Sequence, residues 1–216
     1  MSFGYQVLGF GMGAAAAEAE VIQSAVGHNT SLGDTKAGDV IIAITGSVVN
    51  NLGMGISGFT TKQTLTSGVL WGGGDPYYVK ASLQYKILSG SETSIVTSNA
   101  GVTAAFTQWR FPKPITSVSL TDFLSETGVG NNPINKSYGA VTETSTRIGC
   151  LRVLAQGGYN TNTFPTLTIN TSEDITFAGD SQASIKSAND FAGGSSQASA
   201  GYWSSPNFYV SIYCNA

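Results

Sequence analysis

Apolar residues in this chain come in short runs that alternate with polar ones and stop at clusters of Gly, Asn, Ser or Pro. A two-residue period puts the apolar side chains on one face of a strand, and the clusters that follow turn the backbone. The expected fold is therefore all-β. Val40 to Thr45 is almost continuously apolar, which fits a central strand covered on both faces. Leu83, Tyr85 and Ile87 alternate with Gln84 and Lys86, the pattern of a half-buried strand, and Val102, Ala104 and Phe106 repeat it before Trp109-Arg110-Phe111. Further strands are expected at Ile115 to Leu120, Ile148 to Leu154, Leu167 to Asn170, Ile175 to Phe177 and Phe208 to Tyr213. So many short strands imply a two-sheet antiparallel sandwich, jelly-roll-like, carrying an extended Gly-rich N-terminal arm. We expect an arm over 1–13 and a single sandwich domain over 14–216.

The connections carry their own chemistry. Val48 to Gly58 is rich in Gly and Asn, and Trp71 to Pro76 turns through consecutive glycines. Gly128 to Gly139 reads as a long loop, and Ser187 to Gly201 has no periodicity, so it is expected to be disordered or ordered by a partner. Ala14 to Ile22 has high helix propensity but almost no apolar face, leaving helix and strand evenly balanced.

Composition narrows the function. Only 11% of the 216 residues are charged and Gly numbers 27, against about 25% charged in an ordinary soluble domain. Ten Lys and Arg against thirteen Asp and Glu give a net charge of −3, with no basic cluster. A nucleic-acid surface is therefore not expected. No apolar run reaches the roughly 18 residues a membrane span needs, and Met1 to Tyr5 lacks a basic stretch followed by an apolar one. The chain is expected to be soluble, without membrane contact and not Sec-exported.

Catalytic and metal patterns are poor. Cys150 and Cys214 match no metal or redox spacing and are expected to be buried thiols, with a bridge between them left open. Cys214 shares a strand face with Phe208, Val210 and Ile212, and so points into the core. The single histidine, His28, lies in a polar stretch expected to be a solvated turn, so no metal site is expected. Gly9 to Ala14 imitates a dinucleotide-binding turn, with Asp34 as ribose partner, yet the alternating helices of that fold are missing. Gly179-Asp180-Ser181 imitates a nucleophile turn without a base in reach. Glu173 and Asp174 are adjacent and point to opposite faces of a strand. Ser89 to Glu92 reads as a turn between strands. No catalytic residue and no cofactor are expected.

Flat rings in or beside loops, namely Trp71, Tyr77, Tyr78, Tyr159, Trp203 and Phe208, are the candidate ligand or partner contacts, since exposed aromatics stack on sugars or fill protein pockets. Most are expected to cap the ends of the core.

Four segments taken in order carry a resemblance. Ala37-Gly38-Asp39 with its apolar strand, Gly58-Phe59-Thr60, Leu83 to Glu92, and Ala104 to Arg110 resemble a recurrent β-sandwich module of tailed-bacteriophage virion proteins. That module runs as AGD plus apolar strand, G-W/F-T, YYK-A-G-S-E, and an apolar strand ending in Arg, with Phe59 here where Trp is usual. Phe3 to Gly11 is similar to the start of small structural proteins in phages of aquatic bacteria. The resemblance spans about the first half, and nothing from Asn131 onward matches. It implies a non-enzymatic virion protein, foremost a capsid decoration or cement protein, assembled in the host cytoplasm. The implied partners are the major capsid protein or tail proteins and further copies of the chain, a trimer being favoured. The arm, through Phe3, Tyr5, Val7, Leu8 and Phe10, is the expected docking element, by strand addition. Two alternatives stay open: a tail or fibre component binding a host glycan through the loop aromatics, and a polysaccharide hydrolase using Asp174 or Asp180.

Overall fold

The structure, a computed structural model, describes residues 19–47, 53–70, 76–128, 134–141, 144–157, 167–169, 175–178, 183–189, 194–198 and 205–216. These form an all-β sandwich with no helix among them. Five strands, β1 (Glu20–Gly27), β3 (Ala37–Ser47), β4 (Thr60–Leu70), β5 (Pro76–Ser89) and β7 (Thr103–Arg110), build one antiparallel sheet in the order β1-β7-β3-β5-β4. Five others, β8 (Ser117–Gly128), β10 (Arg147–Gly157), β12 (Ile175–Ala178), β13 (Ala183–Asn189) and β15 (Ser205–Asn215), build the second in the order β12-β13-β10-β15-β8. Each sheet therefore comes from one half of the chain. The sheets stack strand over strand, with β1 beside β12, β3 beside β10 and β4 beside β8.

The core explains why β3 sits in the middle. Val40, Ile42 and Ile44 point to the second sheet and meet Leu151, Val153, Phe208, Val210 and Ile212. Ile41 and Ala43 point the other way, into a second cluster with Leu32, Ile56, Leu88, Ile95 and Phe106. A strand buried on both faces must be apolar at every position, which is how Val40 to Thr45 reads.

A layer of turns covers that second face. The short strands β2 (Asn29–Ser31) and β6 (Ser94–Val96) pair with each other, and Ile56 bridges to Thr97. This layer corrects the half-buried expectation for β5: Gln84 is fully buried, because the layer seals the face that would otherwise meet water. It also corrects His28, which is half-buried between β1 and β2 and hydrogen-bonded through Nδ1 to Thr97 Oγ1.

A three-stranded sheet, in the order β11 (Leu167–Ile169), β14 (Gly194–Ala198) and β9 (Ile134–Tyr138), lies against β10 and β13. Two loop expectations are thereby revised. The stretch from Gly128 to Gly139 contains β9, and that from Ser187 to Gly201 contains the end of β13 and all of β14. Neither β9 nor β14 has an apolar alternation; they are held by backbone pairing across Ser195↔Ser137 and its neighbours. The balance between helix and strand near Ala14 to Ile22 resolves to strand from Glu20 onward, with 14–18 outside the described residues.

Cys150 and Cys214 are both buried thiols. Cys214 lies opposite Gly149 in the β10–β15 pair and Cys150 opposite Tyr213, so the two side chains leave opposite faces of the sheet. A bridge needs Cβ vectors that converge, which this register denies. Burial pushes the Cys214 thiol up, and the neighbouring Cys150 adds to it. Neither thiol is expected to react with an aromatic disulfide reagent at pH 8 in the native chain, while both react in urea. Rapid labelling of the folded protein would contradict the placement.

Candidate functional site

The sequence-predicted contacts fall largely outside the described residues. Phe3, Tyr5, Val7, Leu8, Phe10, Trp71, Tyr159 and Trp203 all lie there, as do the Gly9 to Ala14 turn, Glu173, Asp174, Asp180 and Ser181. Tyr77 and Tyr78 lie on β5, paired with Val69 and Gly68, and only their backbone is described. Phe208 is corrected: it is fully buried in the sandwich core and not at a rim.

What the structure does bring together is the polar chemistry of the first half. At the start of β3, Gly38 has a φ of 89°, and a Cβ there would come within 2.5 Å of the Pro114 backbone. Only glycine suits that conformation and that approach. The register shift between Ala37 and Val40 bends the strand and aims Asp39 at the end of β7. Asp39 Oδ2 accepts from Lys36 N at 2.9 Å, Gln108 Nε2 at 2.8 Å and Arg110 Nη2 at 2.8 Å, and Oδ1 accepts from Arg110 Nε at 2.9 Å. Three of the four donors crowd Oδ2 and one meets Oδ1, so both oxygens of the carboxylate are engaged. The pair is a two-point fork, the strongest form of Arg–carboxylate contact. Arg110 Nη1 also donates to Asp34 Oδ2 at 2.8 Å. Hydrogen bonds to Asp39 and then Asp34 hold the Arg110 guanidinium further toward its charged form, and the bond from Arg110 holds Asp34 below the usual carboxylate range.

The second cluster closes the turn after β5. Glu92 pairs with Lys86 Nζ at 3.1 Å, and its Oε2 accepts from Ser89 N and Gly90 N, both at 3.0 Å. Lys86 also lies 5.9 Å from the centroid of the Phe59 ring. Gly90 has a φ of 89°, and a Cβ there would sit 2.8 Å from Ala37 N, so this turn rests on the one that carries Asp39. Burial pushes the Glu92 carboxyl up, but the Ser89 N–H and the Lys86 ammonium outweigh it and bring it down to about 2. A carboxyl lowered on folding stabilises the fold above its unfolded value, and that stabilisation is lost as pH falls toward the folded value. The stability gap between wild type and Glu92→Gln is expected to be constant above about pH 5 and to shrink steadily toward pH 2. Urea unfolding at half-unit steps checks it, and a gap independent of pH would overturn the assignment.

A third cluster is centred on Gln84. Its Nε2 donates to Thr45 Oγ1 at 3.0 Å and Met54 O at 2.7 Å, and its Oε1 accepts from Ile56 N at 2.9 Å. One buried amide thus ties the 53–56 segment to the sheet.

These clusters position backbone. Asp39 and Glu92 are each held by several fixed donors from neighbouring turns and strands, which suits clamping of turns. No group of three or more His, Cys, Asp or Glu is placed to hold a metal ion among the described residues. The Asp39–Arg110 pair was missed as a unit by sequence reasoning, although Asp39 and Arg110 are rare charges flanking uncharged strands. No protein-family model, curated protein or solved structure matches the chain.

Proposed function

We propose that the chain is a non-enzymatic structural protein of a tailed-phage virion, acting as a decoration or cement protein of the head. One observation supports the reading. The four segments that resemble the virion module are physically interlocked: Asp39 of the first grips Arg110 of the last, while Phe59, Lys86 and Glu92 of the middle two meet at one turn. The resemblance is thus carried by residues that brace one another across the sheet. Such bracing suits a protein that must hold its shape on a particle without disulfides. Its partners on this reading are the major capsid protein and further copies of itself, and its location is the virion.

The experiment is to mix the purified chain with head shells from a tailed phage deleted for it, and to image them by cryo-electron microscopy. Ordered added density on the shell's symmetry axes is expected. Shells that stay bare at saturating protein would overturn decoration and direct the search to the tail.

A further inference from the structure

The sandwich leaves several strand edges unpaired among the described residues, and they are not alike. On the second sheet, β8 carries Asp122 and Glu126, and β12 has only 4 residues. On the first sheet, β1 is the strand into which the N-terminal segment feeds, and β4 forms the opposite edge. Within β4, Gln63 to Leu70 contains no charge, which makes it the longest uncharged edge run among the described strands. Natural edges are usually blunted by charge, proline or shortness, and a long uncharged edge invites another strand. Thr64 and Thr66 are exposed on it, while Leu65 packs against the core.

A matching segment is at hand. No charged residue precedes Glu18, and Phe3 to Phe10 has the length of Gln63 to Leu70. Phe3, Tyr5 and Val7 alternate with Gly4, Gln6 and Leu8. Added beside β4, one set would continue the core layer that Leu65 begins, and main-chain bonds would satisfy the open edge.

Reach decides whose β4 it takes. The described chain starts at Ala19, on the β1 side, with three strands between β1 and β4. Crossing four strand spacings takes about 19 Å. The sheet end beside Ala19 is filled by interlocking turns, since Ile115 N donates to Gly38 O and Ala37 pairs with Ser89. A detour over a packed layer adds about 10 Å out and 10 Å back, roughly 39 Å in all. The nine residue steps from Phe10 to Ala19 span about 31 Å when fully extended. We therefore propose that Phe3 to Phe10 of one copy adds as a strand to the β4 edge of a second copy. The contact is head-to-tail, so copies close into a ring or extend as a filament. It stands on the β4 edge and the arm, and does not require the virion reading.

The test uses the full chain and a form lacking 1–13, compared by light scattering and by amide hydrogen exchange. The full chain is expected to be oligomeric with slow exchange along Gln63 to Leu70. The shortened form is expected to be monomeric, with the outward-facing amides of that run exchanging at least tenfold faster. Adding a peptide of residues 1–13 should restore their protection. Should the shortened form fail to fold, full-length Tyr5→Asp with Val7→Asp replaces it and should give the same loss. A monomeric full chain, an oligomer that survives both changes, or unchanged β4 exchange would each overturn the proposal. None of these outcomes depends on shell binding.

Discussion

Arg110→Met is expected to destabilise the fold by about 3 kcal/mol, far more than loss of an exposed ion pair. The reason lies with its partner. Asp39 is 2% exposed, and without Arg110 its charge loses both fork bonds while remaining out of water. Arg110 keeps some solvent contact, at 18% exposure, which places the cost at the lower end of what breaking a buried pair gives. For a chain of this length the shift in Tm is roughly 6 to 12 °C. The double variant with Asp39→Asn should recover part of the loss, because the neutral amide no longer strands a charge. Urea unfolding of both variants checks this, and a single-variant loss under about 1 kcal/mol would show that the pair behaves as a surface contact. Asp34, at 59% exposure, is expected to be nearly silent when replaced by Ala.

Gly149→Ala is the second large effect. Gly149 faces the core opposite Cys214, and a Cβ built there would lie 2.0 Å from Phe111 Cε1. Phe111 is buried, so its ring must leave its place or push β10 outward. Overpacking of this kind costs about 1 to 3 kcal/mol, and the closeness of the clash argues for the upper part of that range. Phe111→Leu is destabilising alone through the cavity it leaves, but in the Gly149→Ala background it should cost markedly less, since it relieves the clash. Thermal unfolding of the four-member cycle reads the coupling. Additive losses would mean that Phe111 does not fill the space beside Gly149.

The parts of the fold legible in the sequence are those that periodicity governs. The central position of β3 follows from its unbroken apolar run, and β7, β10 and β15 follow from alternation. β4, β9, β13 and β14 escaped because their stability comes from partners: a strand such as Gly194–Ala198 has no apolar face of its own and is defined by what it pairs with. Gln84 escaped for a related reason, since a polar residue in an alternating strand reads as solvent-facing until a covering layer is known. The Asp39–Arg110 fork joins residues 71 positions apart, and no local pattern encodes such a meeting. The arm and the aromatics Trp71, Tyr159 and Trp203 remain expectations from the sequence, as they lie outside the described residues.

The division of the sheets between the two halves of the chain sets an order of events during synthesis. Every strand of the first sheet lies before Phe111, and every strand of the second after Thr116. At about 5 to 20 residues per second, the ribosome needs roughly 5 to 20 s to deliver the second half after the first has emerged. Throughout that interval Val40, Ile42, Ile44, Leu83 and Trp109 have no opposing layer. The nascent first sheet is thus a hydrophobic half-core awaiting its cover, and its safe passage depends on the pace of translation and on whatever shields it meanwhile.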